Sequence, residues 1–146
     1  MKKRHKNIVA SYLVLIRGNT VLLSQRKNTG YRDGEYSVIA GHLEQGETFT
    51  QTIIREAKEE AGIILDPKKI IVKHVQHCKS DNDKSERVHI YFVTSAWIER
   101  LKNVECDKCD HLKWFNFDML PQNIVPHVYE ALLHIRKGIF YSEHGW

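Results

Sequence analysis

Three glutamates, Glu56, Glu59 and Glu60, are the residues whose type and spacing most directly indicate chemistry in this chain. They fall between Thr48 and Ala61, where apolar residues recur every four positions and predict an amphipathic helix that stops before Gly62. These apolar residues are Phe49, Ile53, Ala57 and Ala61. At about 100° per residue the three glutamates share an arc beside the apolar face.

Carboxylates at helical spacings i, i+3 and i, i+4 repel one another, which costs a few tenths of a kcal/mol per pair. Glu60 also lies at the edge of the apolar arc, where an unpaired carboxylate loses hydration when the helix docks. A bound cation would remove both penalties. Oxygen ligands without thiolate or imidazole suit a hard ion, Mg²⁺ or alternatively Mn²⁺. The alternative is a solvated acidic helix face that binds nothing.

The segment Gly41 to Ile63 carries a longer pattern: Gly41, then Glu47, then Arg55-Glu56, Glu59-Glu60, Gly62 and Ile63. These residues and their spacings resemble the complete signature of the Nudix hydrolases, including its MutT-like members. The resemblance implies an α+β fold in which a mixed β-sheet lies between helices, a Nudix-type α/β/α sandwich.

The resemblance also implies roles for individual residues. Glu56, Glu59 and Glu60, with the backbone carbonyl of Ala40, would bind the metal ions, and Glu56 or a nearby carboxylate would activate water. Glu47 and Arg55 would pair and support the site from outside. The implied reaction is metal-dependent hydrolysis of a nucleoside diphosphate linked to another moiety. A noncatalytic nucleotide-sensing module is the alternative, because a fold does not determine a function.

Candidate substrate-binding residues lie on both sides of this segment. The polar loop from Lys27 to Glu35 and the strand after it supply Tyr31, Arg32 and Tyr36, which could stack a base or bind phosphate. A second segment, from Glu105 to Asp110, precedes the pair Trp114-Phe115. By the resemblance it would bring a carboxylate or a base-reading group to the site. Its candidates are Glu105, Asp107 and Asp110, followed by Trp114 as a stacking residue.

The loop Gly30 to Gly34 and the pair Trp114-Phe115 look more like the nucleoside-triphosphate branch of the family, which includes enzymes that act on oxidised nucleotides. We therefore expect hydrolysis of a triphosphate, oxidised or not, to a monophosphate and pyrophosphate. The alternatives are an ADP-ribose or other nucleotide-sugar pyrophosphatase. The expected partner is in each case a small nucleotide.

Composition bounds the remaining possibilities. The 146 residues are 42% hydrophobic and 27% charged, which is typical of one globular domain spanning the whole chain. The net charge of +4 is accounted for by the basic residues of segment 1–7, which we interpret as a flexible arm, so no nucleic-acid polymer is expected as a partner. The oligomeric state is expected to be monomer or homodimer.

The apolar run Ile8 to Ile16 is interrupted by Ser11 and Tyr12 and is shorter than the ~18 residues of a membrane helix. It lacks a small-residue cleavage site, so we expect neither a signal peptide nor membrane association, and a cytoplasmic location. The three cysteines are then expected to be reduced thiols. Cys106 and Cys109 form one C-x-x-C with too few partners for a zinc site. None of the nine histidines is assigned a role.

Hydrophobic alternation and turn residues predict the remaining elements. The predicted strands cover Ile8 to Ile16, Val21 to Arg26, Tyr36 to Ile39, Lys69 to Cys78, Val88 to Ile98 and His111 to Phe117. A closing helix is predicted from Pro126 to Lys137.

Overall fold

The computed structural model describes all residues from Met1 to Trp146. It contains eight strands and two helices, with a short 3-10 helix at Phe117–Met119. The strands are β1 (Ile8–Arg17), β2 (Thr20–Arg26), β3 (Tyr36–Ser37), β4 (Ile39–His42), β5 (Ile71–Lys79), β6 (Glu86–Thr94), β7 (Cys109–Asn116) and β8 (Tyr141–His144). The helices are α1 (Phe49–Ala61) and α2 (Pro126–Arg136).

The strands form one mixed sheet in the order β3-β2-β1-β6-β5-β8, with β4 paired to β1 and β7 paired to β2. The pairs β1–β6 and β5–β8 are parallel, and the others are antiparallel. Strand β1 is therefore central: it pairs with β4 over Ala10–Leu13 and with β6 along most of its length. This arrangement brings β4, which carries Gly41, beside the middle of the sheet.

The sheet is buried on both faces, as the sequence predicted. Leu13 and Leu15 of β1 pack with Ile53 and Ala57 of α1, whereas Val14 between them packs on the opposite face. The second cluster contains Val128, Ala131 and Leu132 of α2. Because side chains alternate along a strand, β1 packs against α1 on one face of the sheet and against α2 on the other. The result is an α/β/α sandwich.

Helix α1 begins and ends where its sequence predicts. Thr48 is the N-cap: its hydroxyl accepts from the Gln51 N–H, and the Gln51 side chain accepts from the Thr48 N–H, which is a capping box. Gly62 ends the helix in the left-handed conformation at φ 67°. The position of both ends determines which way the three glutamates face.

The structure differs from the sequence predictions in three places. The single strand predicted at Tyr36 to Ile39 is divided at Val38, since β3 pairs with β2 and β4 pairs with β1. Strand β6 ends at Thr94 rather than Ile98, because the Thr94 hydroxyl bonds to the backbone of Ala96 and turns the chain. Strand β8 was not predicted, although it pairs with β5 at the edge of the sheet.

The arm of residues 1–7 has no helix or strand and is exposed. Its one ion-pair contact joins His5 Nε2 to Glu86. No helix of the chain is both long and apolar enough to span a membrane.

Candidate active site

The backbone of Gly41 lies directly against the carboxyl group of Glu56. A Cβ atom at position 41 would lie 2.0 Å from Glu56 Oε1, so only glycine leaves room for this carboxylate. The two residues approach because β4 leads into the loop that starts α1, and α1 then returns along β4. The glycine of the signature therefore has a steric role that the structure makes explicit.

The backbone of Gly41 and the Glu56 carboxylate against it form a cradle, and Arg55 makes ion pairs with the acidic side chains around it. Its Nε donates to Glu47 Oε2 at 2.8 Å and its Nη2 donates to Glu47 Oε1 at 3.0 Å, a two-pronged ion pair. Its Nη1 donates to Glu56 Oε1 at 2.6 Å and to Glu59 Oε2 at 3.3 Å. The structure thus contains the Glu47–Arg55 pair that the sequence predicted.

Arg55 holds the pKa of the Glu47 carboxyl at about 2, well below its ordinary value, and Glu47 in turn anchors the loop by accepting from the Glu44 N–H and the Thr52 hydroxyl. Burial raises the pKa of Glu56, Arg55 opposes that rise, and Glu59 and Glu105 add to it. Glu56 is therefore a stronger base than an exposed glutamate.

Glu60 has no cationic side chain as a hydrogen-bonding partner. Its Oε2 accepts from the Ala40 N–H at 3.1 Å, which brings Ala40 and Glu60 together at the wall of the cleft. Burial raises the pKa of Glu60 well above its ordinary value, and the nearby carboxylates Glu56 and Glu105 raise it further. A carboxylate in this environment would be stabilised by a cation.

These residues fit a hard divalent ion by their chemistry. The donors are carboxylate oxygens, one of them buried without a countercharge, and Gly41 leaves space for the Glu56 carboxylate. The side chains are not arranged as a finished ligand set, since no three His, Cys, Asp or Glu residues converge on one point. Arg55 instead pairs with Glu56 and Glu59, and the Glu59 side chain is 51% exposed, so it can change rotamer.

The carboxylates lie along one wall of a cleft of about 690 Å³, a size suited to a small-molecule ligand. Of the residues predicted on the Lys27 to Glu35 loop, Tyr31 and Arg32 line this cleft. Two guanidinium groups lie near the Tyr31 ring, that of Arg26 at 5.4 Å and that of Arg32 at 5.8 Å from its centroid. Glu105 also lines the cleft.

Tyr36 and Trp114 lie outside the cleft wall. Tyr36 is buried beneath α2, where its hydroxyl is 2.8 Å from His111 Nε2, while its neighbour Ser37 faces the cleft because side chains alternate in β3. Trp114 lies on β7 two residues beyond Leu112, the last residue of that strand that lines the cleft, and it stacks on Trp97 with a ring-centroid distance of 6.0 Å. The prediction that these two aromatics stack a base therefore has no support from their placement.

Asp107 and Asp110 are also outside the cleft wall. Asp110 Oδ2 is 2.8 Å from His111 Nδ1, and the backbone carbonyl of Asp107 accepts from Asn28. The segment folds back because the Lys108 and Cys109 N–H groups both bond to the carbonyl of Glu105. This tight turn aims Glu105 at the site and leaves the two aspartates at the surface.

A second group of cleft residues was not predicted from the sequence. Arg26, Arg87, His89 and His127 line the cleft, as do two of the three free cysteines, Cys78 and Cys109. Alternation along β6 places both Arg87 and His89 on one face, which is a signal that was available. The approach of His127 depends on how α2 packs, and no local pattern encodes it.

Comparison with known proteins agrees with this geometry. The family model described as the NUDIX domain matches residues 6–134. A curated relative, the NAD-capped RNA hydrolase NudC of Stutzerimonas stutzeri, is 26% identical over 142 residues, which is 93% of this chain and 48% of that protein. The ADP-ribose pyrophosphatase of Methanocaldococcus jannaschii is 31% identical over 117 residues, covering 78% of this chain and 64% of that protein.

A solved structure, the MutT NUDIX hydrolase of Burkholderia pseudomallei, superposes with a TM-score of 0.80 at 24% identity, covering 88% of this chain and 98% of that one. It confirms the predicted fold. The chain belongs to the NUDIX family, as the signature indicated. The chain spans only about half the length of the NudC relative.

Proposed function

We propose that this chain hydrolyses the diphosphate bond of a nucleoside diphosphate linked to a second moiety, in a reaction that requires Mg²⁺. The observation that carries the proposal is the cradle formed by Gly41 and Glu56, together with Glu60 bonded to Ala40, at the wall of a nucleotide-sized cleft. A purely sensory module would have no need to bury the Glu60 carboxylate there without a cationic partner, since this carboxylate repels a diphosphate in the absence of a cation.

The residues divide the work as follows. Glu56, Glu59, Glu60 and the backbone of Ala40 would hold the metal, which when bound neutralises phosphate oxygens and makes water more acidic. Glu47 holds Arg55, and Arg55 in turn fixes the Glu56 carboxylate at the Gly41 cradle. The carboxylate of Glu56 or of Glu105 accepts the proton of the attacking water.

For the substrate, we propose a nucleoside diphosphate joined to a polar moiety, such as ADP-ribose or a nicotinamide dinucleotide, in preference to a triphosphate. Trp114 was part of the reason for expecting a triphosphate, and it lies outside the cleft. The relatives named for NAD-capped RNA and ADP-ribose support the same choice. Triphosphates remain the second candidate, because Tyr31 of the Gly30 to Gly34 loop does line the cleft.

The test is Mg²⁺-dependent turnover of ADP-ribose, NADH, an NAD-capped oligonucleotide, ATP, dGTP and oxidised dGTP, with products identified by mass. The proposal expects ADP-ribose or NADH to be cleaved within the diphosphate, to give nucleoside monophosphate. Turnover of triphosphates with the others at background would refute the substrate assignment and leave the chemistry of the site intact. Exclusive turnover of the capped oligonucleotide would refute the expectation that no nucleic-acid polymer is a partner.

A further inference from the structure

The start of α2 contributes an uncharged part of the cleft wall. Val125, Pro126 and His127 line the cleft at this helix end. Tyr12 and Val38, which pack in the same apolar cluster as Val125, line it as well. The three glutamates of the signature belong instead to α1, which packs on the opposite face of the sheet. The cleft is therefore acidic where α1 lines it, and aromatic or apolar where α2 lines it.

Two arginines of the cleft wall lie close enough to the start of α2 to act on it electrostatically, but both are already paired with carboxylates. Arg32 forms ion pairs with Glu35 and Asp81. Arg87 forms one with Asp83. These pairs leave the region suited to an uncharged part of a ligand, and an apolar wall with few polar groups is typical of a small-molecule site.

His127 presents a hydrogen-bond donor in this region. Burial chiefly lowers the pKa of His127 to about 3, so its imidazole is neutral at physiological pH and carries one ring proton. The Tyr91 hydroxyl is fully buried, and its one hydrogen-bonding partner is His127 Nδ1 at 3.5 Å. Because a buried hydroxyl donates its hydrogen where an acceptor is available, Nδ1 is the acceptor and the ring proton lies on Nε2.

The Nε2 atom of His127 is the free end of the ring. It has no hydrogen-bonding partner in the protein, and it is not one of the two enclosed side-chain atoms left unpaired, Asn103 Oδ1 and His134 Nδ1. Since His127 lines the cleft, this N–H is open to the cleft. The backbone beside it is held in place, because Gln76 Nε2 donates to the His127 carbonyl at 2.9 Å.

We infer that His127 recognises the nucleobase of the substrate by donating a hydrogen bond from Nε2 to an acceptor atom of the base, while Tyr12 and Pro126 contact the ring. Purine N7 and pyrimidine O4 are acceptors of this kind. The Tyr12 ring lies edge-on to His127, with 5.8 Å between the centroids, which provides an aromatic surface beside the donor. This inference rests on the proposed function for the identity of the ligand as a nucleotide.

The competing explanation is that His127 only packs against Tyr91 at the start of α2. A packing role predicts that His127→Phe changes the melting temperature, or the binding of all ligands alike. A recognition role predicts that His127→Phe, which keeps a ring and removes the donor, changes only the contribution of the base. His127→Gln separates the two explanations further, because its amide N–H reaches the position of Nε2 without the ring.

The experiment measures binding by calorimetry in the presence of Mg²⁺, and it does not require turnover. The ligands are AMP, GMP, CMP, UMP and ribose 5-phosphate, which lacks a base. The tightest nucleotide is expected to bind about tenfold or more tightly than ribose 5-phosphate, as stacking and one hydrogen bond provide. His127→Phe should reduce this ratio about fivefold, and His127→Gln should leave it within about twofold of wild type. His77→Ala, at a histidine outside the cleft, is the matched control and should leave it unchanged.

The same variants are compared in turnover of ADP-ribose, and the melting temperature of each is recorded. His127→Phe should raise KM and leave kcat within about twofold, because the base contact is the same in the ground state and the transition state. A wild-type ratio near one would overturn the inference, as would a ratio that His127→Phe leaves unchanged. Base-dependent binding that His127→Phe weakens, without turnover of any diphosphate, would refute the proposed function and leave the recognition site standing.

Discussion

Replacing Gly41 by alanine tests whether the position of the Glu56 carboxylate controls the chemistry. The new methyl group would lie 2.0 Å from Glu56 Oε1, 2.1 Å from Cδ and 2.5 Å from Cγ. Gly41 is not among the glycines with positive φ, so alanine can adopt its backbone conformation. The steric conflict with one side chain is therefore the main consequence of the change.

The size of the effect follows from these distances. Real Cβ atoms essentially never approach other heavy atoms within 3.0 Å, so Glu56 Oε1 must move by about 1 Å or the side chain must change rotamer. Misplacement of a catalytic group by 1 Å costs roughly 10²-fold in rate. We expect kcat/KM for ADP-ribose to fall by about that factor. The melting temperature should change little, because the side chain is able to rotate and alanine restricts the unfolded chain.

The assay compares kcat/KM and melting temperature of the wild type and Gly41→Ala at saturating Mg²⁺. Glu56→Ala provides the control background, since it removes the side chain with which the methyl group collides. In that background Gly41→Ala should change the residual rate by less than about twofold, because the two changes act through one contact. A Gly41→Ala protein with more than half of the wild-type kcat/KM would refute the reasoning.

Three further predictions concern stability and the arm. Ser142→Ala removes the hydroxyl that lies 2.7 Å from Nε2 of buried His74, and should lower the free energy of unfolding by about 1–3 kcal/mol in denaturant melts, whereas Ser95→Ala, at an exposed serine, should not. The pKa of His127 is about 3 in the folded protein and 6.5 for an ordinary histidine, so as pH falls the unfolded chain takes up the proton before the folded protein does. The free energy of unfolding should therefore decrease as pH drops from about 6.5 toward 3. His127→Gln should reduce that slope by up to about 1.4 kcal/mol per pH unit, and an unchanged slope would contradict the assignment. Deleting Met1 to Lys6 should leave kcat/KM within about twofold at physiological salt, since the arm does not line the cleft; a tenfold loss would show that it binds substrate.

Local sequence information determined the part of the site built on α1. Thr48 and Gly62 specify where the helix starts and stops, and its apolar spacing specifies which side packs on the sheet. Once these are set, the direction of Glu56, Glu59 and Glu60 follows from helical geometry. The Glu47–Arg55 pair was likewise predicted from the signature, and both residues lie on or next to the same helix.

The remainder of the cleft depends on contacts between distant segments. Tyr36 was expected in the cleft, but the division of the predicted strand at Val38 decided which of Tyr36 and Ser37 faces it. Strand β8 has only four residues, Tyr141–His144. It forms because the chain leaving α2 pairs with the free edge of β5. The convergence of Arg32, Arg87 and His127 joins a loop, a strand and a helix start, so no periodicity could indicate it.

The most direct test of the account is Mg²⁺-dependent hydrolysis of ADP-ribose and NADH by the wild type and by Glu56→Gln, which keeps the shape of the side chain and removes its charge. We predict wild-type turnover that disappears when a chelator removes the metal, and a turnover roughly 10²-fold or more lower for Glu56→Gln. Without metal, the melting temperature of Glu56→Gln should be unchanged or higher. Near wild-type turnover by Glu56→Gln at saturating Mg²⁺ would contradict the claim that the carboxylates of this cradle carry out the reaction.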